Sequence, residues 1–394
     1  MSLWSVVGGA DKGGILVREG KDLKSKQCDD RLSHGAVVEQ IALEGDRLNY
    51  KVVTGTGPAT GWVSLKISGK DLVVPKIEEL QELGGGGGPA DSAFPVEVDE
   101  ALKKRVQEKH AEMKKADMLN LSAFKYKMLG GPLEAPKFRI FCFHLAGGAE
   151  SIYTTPVSSP LMKWVKGSKS IEMIAIDYPG RDKLLDQPKI YNTQEMAEWC
   201  LSLVYDKMDL PYVVWGHSVG TWVGFEFLML ARQIGLRMPE AAFFCGFVGP
   251  HLPVAQRPWG RSKNMDANGI KEELMKWDSS HFTGAGKVVF DEPNWTNTWQ
   301  PMMRADFQLY DEYEFKHAGA PKFEFPIHAW HCEGATYEKP EMGQLWKDWT
   351  TKEFDFQVLK EMGHLTAFYN PDFKKVYVDK VMQHLAKYSG VPLS

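Results

Sequence analysis

The chain of 394 residues has little cysteine: five thiols, at Cys28, Cys142, Cys200, Cys245 and Cys332, with no C-x-x-C pair. An odd, scattered set offers neither a disulfide framework nor a metal-ligand spacing. Three of the five lie in apolar, strand-like runs, which predicts buried free thiols and a reducing setting, the cytoplasm. Charge of one sign is also scarce, since 47 Lys and Arg stand against 51 Asp and Glu for a net charge of −4. That balance lacks the clustered basic surface of a nucleic-acid partner. No apolar run reaches 18 uninterrupted residues, and no basic stretch followed by a long apolar one opens the chain. Neither a membrane span nor a signal peptide is therefore expected. Internal repeats are missing as well. What remains is ordinary globular composition, 43% apolar and 25% charged, in a length that suits one large domain and a small one.

The sharpest boundary is five consecutive glycines, Gly84 to Gly88, followed by Pro89. Such a run has maximal backbone entropy and cannot belong to a packed element. Residues 1–80, before it, read as a small all-β module. Leu48, Tyr50 and Val52 alternate with polar residues, as do Val63, Leu65 and Ile67, and this period of two places one face inward. Gly61-Trp62-Val63-Ser64-Leu65 gives the module an SH3-like look. Residues 81–97 read as a glycine-rich linker and 98–136 as a connecting helical segment, with Val98, Leu102, Val106 and Met113 on its apolar stripe. From 137 to 394 short apolar runs alternate with helical stretches: 138–143, 171–176, 212–215, 242–247, 326–330 and 356–359. Near-continuous hydrophobic strands separated by helices predict an α/β fold, with a mostly parallel sheet covered on both faces.

After the third run comes Gly216-His217-Ser218-Val219-Gly220, then a helical stretch. G-x-S-x-G between a strand and a helix is the nucleophile elbow of an α/β-hydrolase, a turn so tight that its glycines leave room for the neighbouring backbone. It raises the Ser218 hydroxyl above the sheet and aims the Val219 N–H at the reacting oxygen. The first run ends in His144-Leu145-Ala146-Gly147-Gly148, where the second oxyanion donor is expected, from Ala146. Met362-Gly363-His364-Leu365 follows the last run, and His364 is preferred among eleven histidines as the base because of that place. Ser218, His364 and an acid would form a triad needing no metal or bound cofactor.

Together these segments resemble the type II, or editing, thioesterases of polyketide and nonribosomal peptide synthesis, over about residues 137–388. The resemblance rests on Phe141 to Gly148, on Asp177-Tyr178-Pro179-Gly180-Arg181, on Pro211 to Gly220, on Gly249-Pro250-His251-Leu252-Pro253, and on Met303-Arg304-Ala305-Asp306-Phe307. It implies hydrolysis of acyl thioesters, on an acyl carrier protein or coenzyme A, by a monomer. That family carries an Asp in the loop after the penultimate strand, and here a gapless match puts Ala335 or Thr336 at its place. Glu338, 26 residues before His364, is preferred as the acid over Glu333. If both are solvated loop charges, the triad is weakened or lost, and the chain becomes a hydrolase-fold scaffold. A carboxylesterase or an acyltransferase would use the same residues. A lid is expected over about 252–324, where Trp277, Phe282, Trp295, Trp299, Met302, Met303, Phe307, Tyr310 and Tyr313 crowd together. Arg257, Arg261 and Lys263, at its start, could meet an acidic carrier or a phosphate.

Overall fold

The computed structural model describes residues 3–67, 70–75, 97–123 and 131–393. The pentaglycine run and nearly all of the expected 81–97 linker lie outside the described residues, as does 124–130 of the connecting segment. The chain divides into two compact units, residues 1–85 and 86–394.

The first unit is an antiparallel β module. Its seven-stranded sheet runs, in spatial order, Gln27–Leu32, Ile15–Arg18, Thr60–Ser64, Arg47–Thr54, Val37–Glu44, Leu3–Val6 and Val73–Pro75. Leu48, Tyr50 and Val63 are fully buried, as alternation requires. The alternation fades sooner than expected: the strand stops at Ser64, and Ile67 is exposed in a small hairpin of Lys66–Ile67 with Lys70–Asp71. The Leu65 N–H makes one more bond in register, to the carbonyl of Asp46 in the preceding turn, and the chain then enters the hairpin.

In the second unit six strands form one sheet: β1 (Phe138–Phe143), β2 (Ile171–Ile176), β3 (Tyr212–His217), β4 (Ala241–Cys245), β5 (Ile327–Cys332) and β6 (Phe354–Leu359). All are parallel, in the order β2-β1-β3-β4-β5-β6. Every residue of β1 to β5 is buried, which is why these strands read as unbroken apolar runs and not as alternating ones. Four of the five cysteines are buried here as free thiols.

The connecting segment forms α1 (Glu100–Lys115), started by the Asp99 carboxylate, which accepts the Leu102 N–H at 2.9 Å. Leu102, Val106 and Met113 are buried. On the other side Arg105 pairs with Glu198 at 2.8 Å, and His110 Nδ1 donates to the Ser202 carbonyl. The helix therefore rests on α2 (Thr193–Val204). Between β4 and β5 the chain leaves the sheet and builds a lid from α4 (Ala267–Trp277), α5 (Ser279–Thr283) and α6 (Gln300–Asp311). α3 (Val219–Gln233) follows β3, and after β6 come α7 (Thr366–Tyr369) and α8 (Pro371–Ser389). No helix among the described residues is long and apolar enough to cross a membrane.

Candidate active site

Ser218 links β3 to α3 with φ 56° and ψ −135°, a conformation that side chains other than glycine rarely adopt. The flanking glycines are required by the backbone itself. A Cβ on Gly220 would stand 2.1 Å from the carbonyl oxygen of Phe143, and one on Gly216 would stand 2.6 Å from the carbonyl of Gly220. The turn is held by the Ser218 N–H donating to Cys245 O at 2.9 Å and by the Thr221 hydroxyl donating to Ser218 O at 2.8 Å. Its hydroxyl is thus fixed at the carboxyl end of the sheet.

His364 lies in the turn after β6, and its Nε2 is 2.8 Å from Ser218 Oγ. Burial, reinforced by the charge of His217, pushes the imidazole down to about 3. The ring is therefore neutral at pH 7, with Nε2 placed to accept a hydrogen bond from the Ser218 hydroxyl. His217 does not face the hydroxyl. Its Nε2 donates to the His364 carbonyl at 2.8 Å while its ring packs edge-on against Phe368.

Val219 is the first residue of α3, so its N–H is one of the four that a helix leaves without an internal acceptor. Ala146 borders the same cavity as Ser218 and His364. Its loop is clamped: the Gly147 N–H donates to Asp306 Oδ2 at 2.7 Å, and Arg181 Nη1 donates to Gly148 O at 2.8 Å. Arg181 and Asp306 in turn form a buried two-pronged pair at 2.6 and 2.9 Å. The turn ending in Arg181 and the lid motif at 303–307 thus converge on the loop at 144–148, contacts that their separate places in the sequence did not announce.

The acid expected from the sequence is not brought to the base. Glu338 is buried, but its carboxyl faces His331, with Nδ1 3.5 Å away. Neither of its oxygens has a hydrogen-bond partner among the described residues, and burial pushes its pKa up. Glu333 points outward, paired with Lys360 at 2.6 Å. The Gly334 N–H donates to Met362 O at 2.8 Å, which lays the start of the loop beside the histidine turn, while four residues on the Glu338 side chain is buried toward His331 on β5. Among the described residues nothing accepts a hydrogen bond from His364 Nδ1. The carboxylate that does reach this turn is Asp278, at the junction of α4 and α5. Its Oδ2 accepts the N–H groups of Leu365 at 2.8 Å and Thr366 at 2.9 Å.

Over the serine lies a cavity of about 290 Å³. All the lid side chains named above border it except Met302 and Tyr313, and its wall is almost wholly apolar, as a hydrocarbon guest requires. Arg257 is not free to meet a partner. It donates to Tyr313 O at 2.7 Å and lies over the Trp222 ring, whereas Arg261 and Lys263 are exposed. Among the described residues one group has a metal-ligand composition, His328, Asp355 and His384. It sits toward the opposite, amino end of β5 and β6. Asp355 already accepts from Gln357 at 2.8 Å and stands 3.6 and 3.7 Å from the two imidazoles. Burial pushes both imidazoles down, His328 to about 4, so near pH 7 both rings are neutral and this is a polar cluster where α8 meets the sheet, remote from Ser218.

Fold and site together have the layout of an α/β-hydrolase: a strained serine after a central parallel strand and a histidine after the last one. Residues 138–371 match the thioesterase domain family, and the chain belongs to it. Among its relatives, the gramicidin S biosynthesis protein GrsT of Aneurinibacillus migulanus is 26% identical over 224 residues, 56% of this chain and 79% of that protein. The medium-chain S-acyl fatty acid synthase thioesterase of Rattus norvegicus is 24% identical over 62% of this chain and 88% of its own. Two solved structures share the fold at a TM-score of 0.52. The RedJ thioesterase of the prodiginine pathway in Streptomyces coelicolor is 21% identical and covers 65% of this chain and 87% of its own. ClbQ of the colibactin NRPS/PKS pathway is 20% identical, covering 63% and 98%.

Proposed function

We propose that this protein hydrolyses acyl thioesters through an acyl-enzyme on Ser218. The observation that carries the reading is the 2.8 Å contact between Ser218 Oγ and a neutral, buried His364, opening into an apolar cavity in a thioesterase-family chain. His364 takes the hydroxyl proton as Oγ attacks the thioester carbonyl. The negative oxygen forms within reach of the Val219 and Ala146 N–H groups. The C–S bond then breaks, the thiol leaves with the proton from His364, and water, activated by the same imidazole, releases the acid.

The apolar wall favours a hydrocarbon acyl chain. The relatives named for gramicidin S biosynthesis and fatty acid synthase make a phosphopantetheine thioester, on a carrier protein or on coenzyme A, the natural form of delivery, as in editing or release. We keep the SH3-like reading for the first unit, which supplies no catalytic group.

Labelling by a fluorophosphonate tests the assignment. The reagent should attach to Ser218, and Ser218→Ala should lose on the order of 10⁶-fold in kcat on an acyl-pantetheine substrate. Turnover by Ser218→Ala within tenfold of the parent would remove Ser218 from the chemistry.

A further inference from the structure

A neutral imidazole that accepts the serine proton at Nε2 carries its own hydrogen on Nδ1. In this fold that hydrogen ordinarily goes to a carboxylate from the loop after β5. Here the loop has Ala335 and Thr336 at the corresponding place, and the Nδ1 group has no partner among the described residues. A buried donor left unpaired is costly and calls for an explanation at a functional site. The imidazolium that forms during attack needs a compensating negative charge still more, because the surroundings are apolar.

Three features of Asp278 meet this need. It is 4% exposed. Burial is the strongest influence on its carboxyl and opposes ionisation. Hydrogen bonds from Ser280, Thr366, Leu365 and His281 together outweigh that and hold it below the usual range, so it is charged at pH 7. It also grips the histidine turn at close quarters. One oxygen takes the two peptide N–H groups that directly follow His364, and a Cβ on Gly363, the residue before it, would lie 2.4 Å from that oxygen. Finally, the neighbouring Trp277 ring lies against the imidazole with centroids 4.6 Å apart. The Asp278 charge acts on His364 against the effect of burial.

Resting on the serine-hydrolase reading above, we propose that Asp278 is the positioning carboxylate for His364, and that this role sits on the lid. It fixes the turn through the Leu365 and Thr366 N–H groups and offsets the positive charge that His364 acquires when it takes the Ser218 proton. Base positioning then depends on the α4–α5 corner being seated. A lid that lifts takes the carboxylate away, and Ser218 is activated only with the lid in place.

The test compares Asp278→Asn, Asp278→Ala and Glu338→Gln in the full chain, on an acyl-pantetheine substrate and on a fluorophosphonate. Asn keeps an acceptor for the two N–H groups but removes the charge. Asp278→Asn is expected to lower kcat about 10²-fold with KM changed less than threefold, on the scale of misplacing or miscompensating a catalytic group. The rate of fluorophosphonate labelling at Ser218 should fall in parallel, and Asp278→Ala should lose more on both measures. A purely structural role would show in KM, yield and stability, and would leave labelling of the folded fraction, counted by active-site titration, at the parental rate. Asp278→Asn within threefold of the parent in both kcat and labelling overturns the assignment. So does a large loss in Glu338→Gln with little in Asp278→Asn. Failure of the parent protein itself to be labelled at Ser218 would instead sink the underlying hydrolase reading.

Discussion

Replacing Asp306 by alanine should separate what the lid does for stability from what it does for chemistry. The carboxylate is 1% exposed and accepts three hydrogen bonds, two from Arg181 and one from the Gly147 N–H. Its removal leaves a guanidinium, itself 6% exposed, with the Gly148 carbonyl, the face of Tyr178 at 5.4 Å and the field of the nearby Asp177 carboxyl. Breaking a buried pair by deleting one member costs ~3–5 kcal/mol, because the surviving charge stays desolvated. At the ~2–4 °C per kcal/mol typical of domains somewhat smaller than this one, the expected fall in Tm is roughly 10 °C. Urea denaturation followed by tryptophan fluorescence gives the free energy directly.

Activity should fall as well, for a different reason. Without Asp306 the Gly147 peptide has lost the acceptor that fixes it, and the neighbouring Ala146 N–H is no longer held in place. Losing one oxyanion donor outright costs ~10²–10³-fold in kcat, and loosening one should cost a part of that, roughly tenfold or more. The double variant Arg181→Met, Asp306→Leu distinguishes the two effects. An apolar pair of similar volume is often as stable as the buried ion pair it replaces, so stability should return. The Gly147 N–H would still lack its acceptor, so kcat should not. A cost below about 1 kcal/mol for Asp306→Ala, outside the range for a broken buried pair, or full recovery of kcat in the double variant, would refute the reasoning.

Other expectations follow from the same geometry. Gly220→Ala should destroy the elbow, since the added carbon meets the Phe143 carbonyl at 2.1 Å; soluble protein labelled by fluorophosphonate at the parental rate would contradict this. Because burial holds His364 at about 3, the imidazole is neutral and competent as a base throughout pH 5–8. Its protonation, and with it loss of kcat/KM, should begin only well below pH 5, and an acid limb with a midpoint between 6 and 7 would show that the ring is not so buried in solution. Glu333→Gln should change kcat less than threefold and leave the urea midpoint nearly unmoved, as for an exposed pair screened by water; a larger loss of activity would return Glu333 to the site.

Most of the sheet and half of the site could be read from the residues alone, for physical reasons. Strands buried on both faces must be continuously apolar, so β1 and β2 appear in the sequence with their full lengths. The elbow is legible because contact with two backbone carbonyls forces glycine at 216 and 220. Which carboxylate lies nearest the histidine turn was not legible. Spacing along the chain recommended Glu338, but spacing does not say which way a loop side chain turns, and Glu338 turns toward His331. Asp278 stands in Trp277-Asp278-Ser279-Ser280, and such an aspartate reads as a helix cap. It is one, accepting the His281 N–H at 3.1 Å at the start of α5. Its second oxygen reaches a turn more than 80 residues further along the chain, a contact that no local pattern encodes.

The lid therefore differs from a cover laid over a finished site. Two of its aspartates enter the machinery from opposite sides. Asp306, on α6, holds the Gly147 peptide beside Ala146, and Asp278, between α4 and α5, holds the turn that carries His364. Each is buried, and each accepts backbone N–H groups belonging to the catalytic loops. On the proposed mechanism the elbow supplies Ser218 and the Val219 N–H rigidly, whereas the second oxyanion donor and the orientation of the imidazole depend on lid residues. A lid displaced by even one ångström would cost activity on the scale of ~10²-fold expected for misplaced catalytic groups. On the proposed mechanism, the same movement that opens the cavity would take the positioning carboxylate away from the base. An acyl chain that fills the apolar cavity and presses the lid home would then promote its own hydrolysis. On this argument substrates with too short a chain should lose kcat and not only affinity, since their binding energy falls short of seating the two carboxylates.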